Sequence, residues 1–394
     1  MPLPRHAPYT GPALFSAGFR PFFLLGSLQA GLSVFLWLSV HQGWLNLDPA
    51  IPPVEWHIHE MLYGYLPAAL TGFLLTAIPN WTGRLPVQGW PLAALAMLWL
   101  AGRALMLAPS GTDWRIVAAV DCAFLLAVAL VALREIAAGR NWRNLRVLLP
   151  LAVLSAGNAV FHLEVAGGGF SDYGRRIGFA AAIILISLIG GRIIPSFTRN
   201  WLVRQNATAL PSAFGRFDAL TIAFSAAAML LWIAIPDARA TAAAFMFAAL
   251  LQAGRLARWQ GLRAWRDPLV LILHASYLMV PAGFALLGAA MLWPGAISSA
   301  AGLHAFGAGA IGVMTIAVMT RASLGHTGHA LAAGTATRII YAAIVLAAVT
   351  RIGASLTAGG GTGLLIFSAS AWSAGYLLFA LVYGRILVRP RSRG

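Results

Sequence analysis

The sequence predicts an all-α, polytopic membrane protein with about twelve transmembrane helices, and three observations lead there. Of 394 residues, 60% are hydrophobic and only 10% are charged, against ~25% charged in a soluble domain. The mean hydropathy is +0.79. Apolar runs of membrane-spanning length recur from one end of the chain to the other. Together these exclude an ordinary soluble domain, a disordered chain and a disulfide-built secreted domain.

A span needs about 20 mostly apolar residues. Twelve such runs lie near 20–40, 56–78, 89–107, 115–133, 146–165, 178–196, 218–235, 240–257, 268–290, 297–319, 336–356 and 362–384. The first begins at Arg20-Pro21 and is longer than a signal-peptide core of about 7–15 residues, so it reads as a retained span. The second starts just after Pro52-Pro53, ordinary helix-start punctuation. The third and fourth carry Arg103 and Asp121, and the fifth carries His162. The ninth follows Asp267-Pro268 and the tenth carries His304. The last runs into an Arg-rich tail. The connections are short, so residues 1–394 are expected to form a single transmembrane helical domain.

The net charge of +16 does not indicate a nucleic-acid binder. Every basic residue is Arg, and the arginines cluster between apolar runs. With the N-terminus inside, 21 arginines fall on the inner side and 6 on the outer side. That imbalance is the positive-inside pattern, with both termini cytoplasmic. The single Cys122 can form no internal disulfide and no CxxC site. A metal would have to be held mainly by His, helped by Met or carboxylate.

Three helix ends look alike. Span 2 closes at Ile78-Pro79-Asn80-Trp81-Thr82, span 6 at Ile194-Pro195-Ser196-Phe197-Thr198-Arg199, and span 10 at Val318-Met319-Thr320-Arg321. They are four helices apart and all face inward, which suggests three four-helix units. Such an arrangement resembles the large subunit of haem–copper oxidases. Generic inner-interface chemistry, a Pro stop with an aromatic anchor and an Arg, is the plainer alternative.

Ionisable groups inside spans are functional candidates by default. Trp56-His57-Ile58-His59-Glu60-Met61 opens span 2 at the outer interface. Helical spacing puts His57 on one face with Glu60 and Met61, and His59 elsewhere. Imidazole suits copper and haem iron; a solvated interfacial pair is the other reading. His162 stands near the outer end of span 5 with Asn158 one turn below, and His304 lies among Gly302, Gly307, Gly309 and Gly312. Those glycines permit close packing against a helix or a flat cofactor. His274 occupies the inner third of span 9. If Thr82 and Thr320 mark one level, His59 and His304 differ in depth by seven residues, or ~10 Å. That separation favours two centres over one shared ion. His6, His41, and the loop pair His326 and His329 rank below these. Arg103 and Asp121 read first as a structural ion pair, and second as a proton-path or propionate-anchoring pair.

Phosphate-binding and dinucleotide-binding fingerprints are absent, and no CxxCH segment exists to attach haem covalently.

Several segments resemble the NnrS family. They are Gly18-Phe19-Arg20-Pro21-Phe22-Phe23, Trp56-His57-Ile58-His59-Glu60-Met61-Leu62-Tyr63-Gly64-Tyr65, Gly72 to Gly83, Gly191 to Trp201, and His304-Ala305-Phe306-Gly307. The resemblance covers essentially the whole chain. It implies a bacterial inner-membrane protein that contains haem b and copper and protects against nitric oxide. By analogy with haem–copper oxidases and their relatives, it implies reduction of NO to N2O. The electron donor would be a quinol or a partner protein. The implied cofactor and metal ligands are His57, His59, His162, His304 and His274, and Glu60 would relay protons as the catalytic carboxylate. A non-catalytic NO sensor or scavenger, and a proton-coupled transporter built on the same histidines, are the competing functions.

Overall fold

The computed structural model describes residues 9–47, 50–357 and 361–391. His6 lies outside them. The described chain is helical, and twelve long helices follow one another. They are α1 (Phe19–His41), α2 (Pro53–Thr82), α3 (Trp90–Leu105), α4 (Trp114–Ala138), α5 (Leu148–Gly168) and α6 (Tyr173–Arg204), then α7 (Arg216–Ala234), α8 (Arg239–Ala257), α9 (Pro268–Leu292), α10 (Ser299–His326), α11 (Thr335–Leu356) and α12 (Thr362–Leu387). Eleven are long and apolar enough to cross a membrane, so this is a multi-pass membrane protein. The exception, α3, has 16 residues. At 1.5 Å per residue it is ~24 Å long, short of a ~30 Å hydrocarbon core.

Local chemistry sets the helix ends. Asp113 and Asp267 cap α4 and α9 by accepting the backbone N–H groups of Arg115 and Leu269 at 2.9 Å each. Glu164, near the end of α5, accepts the N–H groups of Asp172, Tyr173 and Gly174 at 2.8–3.0 Å and so caps α6. Gly83 ends α2 at φ +70°, a left-handed conformation that favours glycine.

Two predicted boundaries shift. Helix α6 passes through Pro195 and runs to Arg204, and α10 runs past Thr320 to His326. Pro195 forfeits one backbone hydrogen bond, but Leu202 on the continuing turns is buried, which favours keeping the helix intact.

Two spans widen into π-helix. In α2 the wide turns cover Glu60–Tyr65, directly after His59. In α10 they cover Ala305–Val313, directly after His304. Such bulges are rare and concentrate at functional sites.

The chain divides into two compact units. The first holds Met1–Gly178, Met319–Ala330 and Tyr376–Gly394; the second holds Phe179–Val318 and Leu331–Gly375. In the first, α1 packs on α2, α3 on α4, and α4 on α5. Arg20 anchors the C-terminal segment there, donating to the carbonyls of Leu387 at 2.7 Å and Arg389 at 2.6 Å. In the second, α8 packs on α7 and α9, and α10 on α9 and α11.

Candidate metal centre

The functional candidate sits in the first unit, where α2, α4 and α5 each deliver one side chain. Among the described residues, His59, Asp121 and His162 form one group able to hold a metal ion, with ligand atoms all within 4.8 Å of one another. Asp121 Oδ2 lies 3.1 Å from Nε2 of His59 and 3.0 Å from Nε2 of His162. Asn158 joins them: its Nδ2 donates to Asp121 Oδ2 at 2.7 Å, and its Oδ1 lies 3.0 Å from His59 Nε2. All four side chains are buried. Phe161 and Tyr63 pack their rings against His59.

A second layer holds this group. Arg103 on α3 donates from Nη2 to Asp121 Oδ1 and from Nη1 to Glu60 Oε1. Gln29 on α1 donates to the other oxygen of Glu60. Glu60 Oε1 also lies 3.4 Å from Nδ1 of His59. As the side chains stand, His59 Nε2 donates to Asp121 Oδ2 or Asn158 Oδ1; with a metal at Nε2 the ring proton would move to Nδ1, where Glu60 can accept it, the usual support for a ligating histidine. One guanidinium is thus shared between two buried carboxyl groups, and a bound cation would bring a second positive charge beside them.

Two sequence expectations change here. Counting by threes and fours put His57 beside Glu60 and set His59 apart. In the structure His59 is the one that meets Glu60, and the helix widens at that residue. Arg103 and Asp121 do pair, as expected, but Asp121 also serves both histidines.

The other predicted histidines stand elsewhere. His57 is half-buried and stacks on Trp37, with ring centroids 4.4 Å apart. His41 also stacks on Trp37, with ring centroids 4.9 Å apart. His326 tilts against Phe19, and His329 Nδ1 lies 2.8 Å from Thr327 Oγ1.

His304 and His274 belong to the second unit. His304 Nδ1 donates to the Ala300 carbonyl at 2.7 Å, so in the neutral ring Nε2 carries the lone pair. Thr198 donates to the Ile194 carbonyl, so it accepts from His274 Nε2 at 2.8 Å. That leaves the lone pair on His274 Nδ1, which is buried without a hydrogen-bond partner and faces Gly261. His304 thus carries the tautomer of a ligating histidine, whereas the unpartnered nitrogen of His274 abuts Gly261, where even a Cβ would collide with the ring.

The sequence reading missed one polar cluster altogether. Arg255, one of the 21 inner-side arginines and within the apolar run 240–257, is fully buried in the second unit. It donates to Asp218 Oδ1 at 2.9 Å, to the Ser187 carbonyl at 2.9 Å and to the Tyr277 hydroxyl at 2.7 Å. Tyr277 in turn donates to Gln252 at 2.6 Å. The signal was Asp218 near the start of one apolar helix and Gln252 with Arg255 near the end of the next.

A model of the NnrS protein family matches residues 13–391 of the chain. The chain belongs to the NnrS family. No curated protein matches it. The NnrS match spans the residues of both units described above, including every histidine from His41 to His329. Membership points to a membrane protein concerned with nitric oxide, and the His59–Asp121–His162 group gives this NnrS chain a place able to hold a metal.

Proposed function

We propose that this NnrS-family protein is a haem- and copper-containing protein of the bacterial inner membrane that removes nitric oxide by reducing it to N2O. The reaction balances as two NO, two electrons and two protons giving N2O and water. The electrons come from a quinol or a partner protein. Both termini face the cytoplasm, with the short α3 as a twelfth crossing; the arginine imbalance supports this orientation and survives removal of the buried Arg20 and Arg255.

The observation that carries this reading is the convergence of two imidazoles on one carboxylate oxygen inside a membrane protein of this family. Two nitrogens and an oxygen are a donor set that copper accepts. His59, His162 and Asp121 would hold the copper. His304, whose tautomer leaves the lone pair on Nε2, would serve haem b, and His274 and His57 are the remaining members of the proposed cofactor-binding set. Bound metal would supply one-electron chemistry and hold NO, lowering the entropic cost of N–N bond formation.

The chain's own residues have three tasks. Glu60 Oε1, 3.4 Å from Nδ1 of His59, holds and passes the proton at that nitrogen. Asn158 and Arg103 orient Asp121. Phe161 and Tyr63 keep water from the imidazoles.

The test is an optical spectrum of detergent-purified protein, reduced and then exposed to NO, with iron and copper quantified on the same sample. A Soret band that shifts with NO, copper in the sample, and N2O formed with an electron donor are expected. Reversible NO binding without N2O would replace the reductase by a sensor or scavenger. A colourless, metal-free protein would overturn the reading in favour of transport.

A further inference from the structure

Resting on the metal reading of the His59–Asp121–His162 group, we propose that Arg103 is a positioning residue that keeps Asp121 a one-oxygen ligand. It thereby leaves a coordination position of the bound cation open to a small neutral molecule.

The two oxygens of Asp121 have different partners. Oδ2 faces both imidazoles, at 3.1 and 3.0 Å, whereas Oδ1 is taken by Nη2 of Arg103. A two-oxygen binding mode would turn Oδ1 towards the cation and away from the guanidinium. It would also draw the cation towards a fixed positive charge. Both changes are unfavourable where water cannot screen them.

The guanidinium cannot easily follow. Its Nη1 is held by Glu60, whose second oxygen is held by Gln29. Trp99 lies 6.0 Å from it, ring centroid to Cζ. Gly64 permits the approach, since a Cβ there would collide with Nη1. Arg103 therefore sits in a cradle of α1, α2 and α3, and its fork geometry ties two carboxylates at once. The protein donors left to the cation are His59 Nε2, His162 Nε2 and Asp121 Oδ2, with Asn158 Oδ1 3.0 Å from the first of these. A first-row metal held by the first three, with Asn158 outside them, retains a fourth position for one further ligand.

Cobalt(II) tests this, because four-coordinate cobalt(II) absorbs visible light severalfold more strongly than its five- or six-coordinate forms. Full-length protein in detergent is stripped of metal and titrated with cobalt(II) alone. The wild-type complex should show the intense low-coordination bands. In Arg103→Gln the freed Oδ1 should swing onto the metal, and the bands should weaken severalfold at full occupancy. Arg103→Gln leaves Glu60 without its cation, which threatens folding. The double variant Glu60→Gln/Arg103→Gln removes both charges and should show the same weakening. Unchanged bands in a folded, cobalt-loaded variant would overturn the positioning role while the metal site stands. Failure of wild-type protein to bind cobalt(II), copper or zinc would overturn the metal reading, and this inference with it.

Discussion

Asp121 and His59, sixty-two positions apart, meet through Oδ2 and Nε2 at 3.1 Å in a pocket closed to solvent. The carboxylate is satisfied in this buried place by Asn158 Nδ2 and by Arg103, its counter-charge. His162 reaches the same oxygen from the next helix. Four helices thus meet on one carboxylate, and the consequences can be measured.

Replacing Asp121 by Asn keeps the shape and removes the charge. The purified variant should lose copper at the triad, as should His59→Ala and His162→Ala. Metal analysis against the wild-type sample checks this, and full retention in all three would move the site elsewhere.

Asn158 orients the ligands from one step out, donating to Asp121 Oδ2 at 2.7 Å. Losing such a partner costs about 10- to 100-fold in metal affinity. Asn158→Leu should therefore weaken copper binding by that order in a competition titration with a chelator, with the stoichiometry unchanged.

His304 should separate the two kinds of centre. Its Nδ1 is engaged by the Ala300 carbonyl, and it opens the π-helical stretch of α10. On the proposed assignment, His304→Ala loses the Soret band and keeps the copper. A variant that loses copper and keeps the band would reverse the assignment.

The Arg255–Asp218 pair carries stability. Breaking a buried pair by removing one partner costs about 3–5 kcal/mol, whereas replacing both by apolar residues can be neutral. Asp218→Leu should lower the melting temperature sharply, and Asp218→Leu/Arg255→Met should recover most of the loss. Equal melting temperatures for the two variants would show that the charges do not act as a pair.

Gly191 lies against the same guanidinium, and a Cβ there would overlap Arg255 Nη2. The other guanidinium nitrogens are fixed by Asp218, Ser187 and Tyr277, so the side chain has little freedom to retreat. Gly191→Ala should destabilise by about 1–3 kcal/mol, the range for overpacking. A thermal melt in detergent shows it directly.

Much of this was readable in advance. The repeated apolar runs set a helical membrane protein, because lipid offers backbone groups no partner and only helices or closed barrels satisfy them internally. The Trp56–Met61 and Gly191–Trp201 segments carried the family, and burial cost singled out His57, His59, His162, His274 and His304. Helical periodicity, however, assigned His57 to Glu60, because it assumes 3.6 residues per turn. In the structure it is the sequence neighbour His59 that contacts Glu60 Oε1, at 3.4 Å, a next-residue contact that face counting leaves out. Arg255, near the inner end of the 240–257 run, counts in the sequence with the inner-side arginines because a charge at a span end normally reaches the interface. A buried charge with Asp218, Ser187 and Tyr277 around it is affordable inside the protein.

The sequence by itself determined the solvent, the helix inventory and the short list of ionisable groups, since each follows from local composition and transfer cost. Only the tertiary structure decided which of those groups share an atom. His59, Asp121 and His162 are ordinary entries on three separate helices, and long-range packing, through Arg103, Glu60 and Gln29, is what brings them to one point.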